Sequence, residues 1–239
     1  MNTKMNNIIK KIWRKRAIMR SLLYSAYFNF HYLPFKQAIK LPILLYKPHF
    51  ISLKGKVVID DCCVRFGMVQ LGFRECGVYA NSGITWENNG GKVIFKGRCM
   101  IGNDSFLSFG KTTNVTFGDD FRNTAGLKLV SGRSVIFGRG TRLGWGVLVM
   151  DTNFHPLYDM KKKIYKKASG PIEIGDYNWF GTQCKIMHSV KTPERCIFGM
   201  NTIVTRNSEM KSYCVMGGSP VRILTENIMR DYEHDVEEY

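Results

Sequence analysis

The residues best suited to chemistry lie in one short segment, Asp151-Thr152-Asn153-Phe154-His155-Pro156. Histidine titrates near neutral pH, so His155 is the candidate general base. Asp151 is expected to orient its imidazole or to hold a substrate hydroxyl. The other four histidines lie in a basic N-terminal arm, inside a repeat and in the tail: His31, His49, His188 and His234. His155 is therefore singled out by its place, where a regular repeat gives way to a loop.

A six-residue repeat marks the elements that must position this segment. An apolar residue followed by Gly recurs in Ile101-Gly102, Phe117-Gly118, Phe137-Gly138, Leu143-Gly144, Ile174-Gly175, Phe180-Gly181 and Phe198-Gly199. After residue 174 the spacing is strict, through Ile174, Phe180, Ile186, Thr192, Phe198, Val204, Met210 and Met216. This period is neither that of a helix nor that of an alternating strand. It is typical of a parallel β-helix, in which each hexapeptide forms one side of a coil.

The chain is predicted to have three parts, and the fold class is mainly β. Residues 1–50 form a basic, aromatic helical arm or cap, and residues 51–223 form the β-helix. Residues 224–239 form a tail with a short C-terminal helix from about Thr225. Residues 151–170 break the repeat with a lysine-rich stretch. They are predicted to be a loop ejected from the coil, and loops on a rigid scaffold often carry function.

The positive charge is concentrated in the arm. The formal net charge is +16, and twelve of the 35 Lys and Arg precede the first acidic residue, Asp60. A basic, aromatic helix suits the anionic face of a membrane, and it also suits a cap across the end of a β-helix. These two interpretations are compatible. Nucleic-acid binding is not expected, because no nucleic-acid module accompanies the arm.

The cysteines and the hydropathy favour a cytoplasmic protein that needs no metal. The seven Cys show no CxxC pair and no zinc spacing, so reduced thiols in a core are expected. We find no convincing signal peptide, and no apolar run reaches the roughly 18 residues of a membrane span. A metal-dependent hydratase of the β-helix type would need three histidines, and only His155 and His188 lie in the repeats.

Four sequence motifs occur in a characteristic order along the chain. They are Asn153-Phe154-His155-Pro156, the run 170–181, the run 198–206 and Gly217-Gly218-Ser219-Pro220-Val221-Arg222-Ile223. Together they resemble the hexapeptide-repeat acyltransferases, above all the galactoside/maltose O-acetyltransferases and the capsule and lipopolysaccharide O-acetyltransferases. The likeness covers residues 117–223, about half of the chain.

The resemblance implies a left-handed β-helix, a homotrimer and acetyl-CoA as co-substrate, bound between adjacent subunits. His155 would take a proton from an acceptor hydroxyl or amine, which then attacks the thioester directly. The other implied site residues are Trp179 beside the pantetheine, backbone groups of Gly181, Met200 and Thr205 bonded to it, Arg206 and Arg222 facing the phosphates, and Asn123 contacting the acceptor.

The sequence departs from the family pattern near the expected coenzyme groove. His188 stands where a proline is usual, and Asn201 beside Met200 stands where a small residue is usual. The leading prediction is an O-acetyltransferase that acts on a sugar hydroxyl of a cell-surface polysaccharide precursor, with the arm near the inner membrane. Two alternatives stay open, an N-acyltransferase on a nucleotide-linked amino sugar and a β-helix binding module without catalysis.

Overall fold

The computed structural model describes residues 18–19, 21–206 and 208–235, so most of the arm before residue 21 and the last four residues lie outside it. Two helices come first, α1 over residues 21–32 and α2 over Phe35–Ala38. The strands follow in chain order: β1 (Ile43–Leu45), β2 (Pro48–Leu53), β3 (Lys56–Ile59), β4 (Val69–Phe73), β5 (Ile84–Asn88), β6 (Lys92–Phe95), β7 (Cys99–Gly102), β8 (Ser105–Phe109), β9 (Asn114–Phe117), β10 (Phe121–Asn123), β11 (Lys128–Ser131), β12 (Ser134–Phe137), β13 (Arg142–Leu143), β14 (Leu148–Met150), β15 (Leu157–Asp159), β16 (Ile164–Lys166), β17 (Ile172–Ile174), β18 (Trp179–Phe180), β19 (Lys185–Met187), β20 (Ile197–Phe198), β21 (Ile203–Val204), β22 (Cys214–Gly217) and β23 (Arg222–Glu226).

Three long sheets form the sides of a β-helix. The first has the order β1-β4-β7-β10-β13-β18-β20-β22-β23, the second β2-β5-β8-β11-β14-β19-β21, and the third β17-β12-β9-β6-β3. Within the coils, neighbouring strands are parallel, as where Phe121 and Val69 both pair with Cys99. As far as β19 the chain visits the three sheets in turn, apart from the β15–β16 hairpin, so each circuit adds one strand to each sheet. After β19 it adds strands to the first two sheets alone among the described residues. The predicted parallel β-helix is confirmed.

The repeat residues fill the interior of the coils. Phe95, Phe117 and Phe137 stack with ring centroids 5.2 and 5.3 Å apart, close to the spacing of adjacent strands, which is about 4.8 Å. Along the six-step series the buried members are Ile174, Phe180, Ile186, Thr192, Phe198, Val204 and Met216. The six-residue repeat therefore arises because each side of a coil directs one such side chain into the interior.

Glycine follows the inward apolar residue because successive coils approach closely there. A Cβ on Gly138 would lie 2.5 Å from Asp176 Oδ1, and one on Gly175 would lie 2.4 Å from the carbonyl oxygen of Pro193. Both distances are shorter than a carbon atom allows. The apolar-Gly pair is thus a packing requirement of the stacked corners.

The first coil starts inside the predicted arm. Strand β1 pairs with β4, so the coil begins at Ile43 rather than at the predicted boundary of residue 51. Helix α1 lies across its open edge, where Ile43 N donates to Asn29 Oδ1 at 3.1 Å and Leu45 N donates to Ser25 Oγ at 2.9 Å. Phe28 of α1 packs edge-on against the core residue Trp86 at 5.1 Å. The helix therefore satisfies backbone groups that an open coil would leave bare.

The predicted C-terminal helix from Thr225 is wrong. In its place β23 pairs antiparallel with β22, with Cys214 opposite Glu226, and residues 227–235 continue as bends. The physical reason is the edge of β22, which would otherwise be exposed at the end of the coil. An unpaired edge strand presents a row of bare N–H and C=O groups, and here the returning chain pairs with it.

Candidate active site

His155 lies on the loop that leaves the coil after β14. Phe154 N donates to Thr152 Oγ1 at 3.0 Å, and His155 N donates to Asn153 O at 2.7 Å. Phe154 has a positive φ of 61°, so the chain reverses sharply here and the His155 side chain is exposed. An exposed imidazole on a turn held by its own backbone can reach a substrate hydroxyl, as a general base must.

Asp151 points into the coil instead of orienting His155, so that predicted role is wrong. Its side chain is fully buried. The carboxylate accepts hydrogen bonds from Ser131 Oγ at 2.7 Å and from the backbone N–H groups of residues 132–134 at 2.6, 3.0 and 2.8 Å. Asp151 therefore holds the turn between β11 and β12. The proximity of Asp151 and His155 in sequence does not give a contact, because the chain turns outward between them.

Asn123 is also buried, so its predicted contact with an acceptor is wrong. Its amide nitrogen donates to the carbonyls of Gly144 at 3.0 Å and Leu143 at 3.3 Å. In the first sheet it stands in register with Ile101 and Leu143, which are both buried. It thus takes an inward position of the repeat and bonds one coil to the next.

The ejected segment is a hairpin rather than an irregular loop. Strands β15 and β16 pair antiparallel, with Leu157 opposite Lys166. Asp159 closes the hairpin, since its Oδ1 accepts from the backbone nitrogens of Lys161 and Lys162 at 3.1 and 3.0 Å, and its Oδ2 lies 3.3 Å from Lys166 Nζ. The hydrogen bonds from Lys162 and from Lys166 lower the pKa of the Asp159 carboxyl.

An open cleft of about 610 Å³ separates this hairpin from the coils. Its lining is rich in positive charge: Arg133, Lys162, Lys166, Lys167 and Arg206, with Asp159 as the acid. His188 and Ser189 also line it. His188 Nε2 lies 3.1 Å from Asn153 Nδ2, and its Nδ1 lies 3.2 Å from Ser189 Oγ. The cleft thus adjoins the loop of His155 through Asn153.

Trp179 faces outward from β18 and is 36% exposed. The C-terminal segment crosses this face, with Arg230 Cζ 4.6 Å from the centroid of the Trp179 ring. The Tyr232 hydroxyl donates to the carbonyl of Tyr177 at 3.2 Å, and Arg142 lies over the Tyr232 ring at 5.1 Å. Trp179 is therefore on the surface, as its predicted role requires. A pantetheine beside it would have to share the ring with Arg230 or displace it.

The predicted backbone partners of the coenzyme lie on successive late coils. Gly181 and Met200 are adjacent, since a Cβ on Gly181 would lie 2.9 Å from Met200 N. The Gly181 N–H already donates to Phe198 O at 2.7 Å, and the Thr205 N–H donates to Ser208 Oγ at 3.1 Å. Any bond from these two residues to a ligand would therefore use their carbonyl groups. Their roles stay predictions.

The two arginines predicted to face phosphates lie in different places. Arg206 follows β21 and lines the basic cleft. Arg222 begins β23 and stands opposite Gly217. Both side chains are exposed. The structure thus groups Arg206 with the hairpin and the His155 loop, whereas Trp179 and Arg222 belong to the first sheet.

Sequence reasoning missed two basic residues of these surfaces. Arg133 enters the cleft from the turn that Asp151 holds, and Arg230 stacks on Trp179 from the tail. No local motif marks either one, because each arrives through the stacking of segments distant in sequence. His188 carried a signal, as the residue standing where a proline is usual.

Comparisons with known proteins agree with this architecture. No protein-family model matches the sequence, and no curated protein matches it. The structure is similar to that of the polySia specific acetyltransferase NeuO, with a TM-score of 0.55 at 19% identity, over 80% of this chain and 92% of that chain. The chain has the left-handed β-helix fold of the hexapeptide-repeat acetyltransferases. The predicted fold class and resemblance are confirmed at the level of the fold.

Two further solved structures show weaker similarity to the chain. The polysialic acid O-acetyltransferase OatWY matches with a TM-score of 0.39 at 18% identity, over 80% of this chain and 91% of that chain. A hexapeptide-repeat acetyltransferase from Vibrio cholerae, VCA0836, complexed with acetyl coenzyme A, matches with a TM-score of 0.37 at 19% identity, over 56% of this chain and 66% of that chain.

Proposed function

We propose that the protein is an acetyl-CoA-dependent O-acetyltransferase that acts on a sugar hydroxyl of a cell-surface polysaccharide precursor. The observation that carries this proposal is the exposed His155, presented beside an open cleft on a chain with the fold of an acetyltransferase. A thioester is already an activated acyl donor. The protein then needs mainly to position the acceptor, remove its proton and stabilise the developing oxyanion.

In the proposed reaction His155 is the general base. Its neutral imidazole takes the proton of the acceptor hydroxyl while that oxygen attacks the thioester carbonyl of acetyl-CoA. The carbon–sulfur bond then breaks, and the imidazolium returns the proton to the departing thiolate. Asp151 takes no part in this transfer, since its carboxylate is committed to the turn at residues 131–134. Proton transfer by a positioned base contributes roughly 10²–10⁴-fold to a rate.

We place the coenzyme at the seam between subunits of a homotrimer, along the late coils. Trp179 and Met200 support this placement, because Trp179 faces outward from β18 beneath Arg230 and Met200 is exposed in the turn after β20. Acetyl-CoA is a cytoplasmic metabolite, so the proposal also places the enzyme in the cytoplasm.

The arm is proposed to contact an anionic membrane surface. On α1 the exposed side chains Leu23, Tyr27 and Phe30 recur at the spacing of one helix face, and Lys36 and Lys40 follow. Apolar and basic groups together suit a lipid–water interface. In the part of the chain that the structure describes, no helix is long and apolar enough to span a membrane.

The proposal is tested by replacing His155 with alanine and measuring transfer of radiolabelled acetyl groups to a panel of oligosaccharides. We expect kcat to fall by about 10²–10⁴-fold, with an unchanged thermal midpoint and an unchanged trimer mass by light scattering. His49→Ala is the matched control, because His49 is exposed on β2, in the first coil. Full activity in His155→Ala would refute the assignment of the base, and a monomeric mass would refute the shared seam.

A further inference from the structure

Among the residues that the structure describes, the lining of the basic cleft beside His155 has more basic side chains than acidic ones. Two arginines and three lysines line it, and they come from three separate segments: Arg133, Lys162, Lys166, Lys167 and Arg206. The acid in the lining, Asp159, is already bonded to two backbone nitrogens and paired with Lys166. The cleft therefore presents a net positive field to a ligand, and low-dielectric walls focus such a field.

The walls of the cleft are held in place. On one side, the Asp151 carboxylate accepts hydrogen bonds from the backbone of residues 132–134. These bonds fix the backbone from which the Arg133 side chain extends. On the other side, Asp159 accepts two backbone hydrogen bonds in the turn of the β15–β16 hairpin. This hairpin carries the lysines that line the cleft. A cationic site on held backbone loses less conformational freedom on binding than one on a loose loop.

His188, which lines the cleft, contacts the loop that carries the proposed base. His188 contacts Asn153 through Nε2 and Ser189 through Nδ1. The amide nitrogen of Asn153 donates and cannot accept, so Nε2 of His188 is the acceptor in the first contact. Asn153 lies two residues before His155, and β15 begins two residues after it. An anion in the cleft would therefore hold its molecule beside the segment that carries His155.

We propose that this cleft binds the carboxylate of an acidic sugar, so that the acceptor is an anionic glycan rather than a neutral one. This inference rests on the proposed function and names the acceptor class of that reaction. Arginine matches a carboxylate through paired N–H donors, and lysines add point charges. The phosphates of coenzyme A are the competing source of the anion, because Arg206 also lines the cleft. We favour the acceptor because Trp179, which is proposed to lie beside the pantetheine, belongs to the first sheet, whereas His188 and Arg206 of the cleft follow strands of the second sheet.

The test measures binding of defined probes by calorimetry at low and high salt. The acidic probes are hexamers of hyaluronan, galacturonic acid and α2,8-linked sialic acid. The neutral probe is chitohexaose, and coenzyme A is measured separately. The variant is the double substitution Lys166→Gln and Lys167→Gln, and the control is Lys96→Gln, an exposed lysine on an early coil. Thermal midpoints check that each variant folds.

We expect at least one acidic hexamer to bind more tightly than chitohexaose, with binding that weakens as salt rises. The double variant should weaken that affinity tenfold or more and leave coenzyme A binding unchanged, whereas Lys96→Gln should change neither. The inference is overturned if no acidic hexamer is preferred, or if the double variant weakens coenzyme A alone. His155→Ala should still bind the acidic probe. Failure of the proposed function would thus be seen in the acetyl-transfer assay, and failure of the cleft inference would be seen in the affinity for the acidic hexamer.

Discussion

Replacing Asp151 with asparagine separates a structural role from a catalytic one. In the structure the buried carboxylate accepts four hydrogen bonds, one from Ser131 Oγ and three from the backbone of residues 132–134. Asparagine has nearly the same shape but keeps only one oxygen. Its NH₂ group would face at least one N–H donor, which would be left without an acceptor in a buried site.

The size of the effect follows from the bonds lost. Hydrogen bonds to a charged group each contribute about 1.5–3 kcal/mol net. With its oxygen at the Oδ2 position asparagine keeps three of the four bonds and loses the one from Gly132 N, which is left facing the NH₂ group. The lost bond and the unpaired donor together are expected to lower the free energy of unfolding by about 2–4 kcal/mol. In a protein of this size each 1 kcal/mol corresponds to roughly 2–4 °C in thermal midpoint. The midpoint should therefore fall by about 5–15 °C.

The measurement is thermal unfolding followed by circular dichroism, together with acetyl transfer well below the midpoint. Asp176→Asn is the matched control, because the exposed Asp176 accepts one backbone bond, from Arg139 N at 2.8 Å. It should cost less than about 1.5 kcal/mol. Ser131→Ala removes one donor to Asp151 and also the contact of Ser131 Oγ with Thr113 Oγ1, and it should give an intermediate loss.

A catalytic carboxylate would give the opposite result. If Asp151→Asn leaves the midpoint unchanged and lowers kcat a hundredfold or more, Asp151 acts on the imidazole or the substrate. The assignment of its carboxylate to the turn would then be wrong.

Two further predictions concern pH and lipid. Burial raises the pKa of Asp120, but the hydrogen bond and charge of Arg142, with two further arginines, lower it overall. The stabilisation is thus present above the unfolded pKa of about 3.9 and is lost as pH falls through the folded value. The free energy of unfolding of Asp120→Asn, measured by urea titration, should fall less on acidification than that of the wild type. The difference should be at most about 1 kcal/mol, since the carboxylate is partly exposed, and parallel curves of unfolding free energy against pH would contradict this. The full chain should float with phosphatidylserine vesicles but not with phosphatidylcholine vesicles, and Leu23→Ser with Phe30→Ser should weaken this flotation; flotation insensitive to both changes would exclude the α1 face.

The repeat made the fold predictable from sequence. A six-step apolar period allows few structures other than a three-sided coil, and the inward burial of Phe180, Phe198 and Val204 follows from it. The strand at residues 222–226 was not predictable, because Arg-Ile-Leu-Thr-Glu shows neither the six-residue repeat nor an alternation of apolar and polar residues. It pairs there because β22 offers an open edge.

The candidate site was only partly predictable. His155 was found because it stands at a break in the repeat. Asn123 was misassigned, although its register with Ile101 and Leu143 identifies an inward position. Asp151 could not be placed in this way. A polar residue at a corner can point into the coil or out of it, and stacking against the turn at residues 131–134 decides which.

The buried carboxylate of Asp151 links the two parts of the proposed site. Asp151 directly follows β14, at the point where the chain leaves the coil toward His155. Its carboxylate accepts hydrogen bonds from the turn that places Arg133 in the lining of the basic cleft. The buried Asp151 side chain therefore fixes both the start of the loop that carries His155 and one wall of the basic cleft. If this is right, Asp151→Asn should weaken binding of the acidic hexamer, an effect that Asp176→Asn lacks, because the latter contacts neither segment. A loss of stability without any loss of acidic-probe affinity would show that the turn does not position Arg133 for binding.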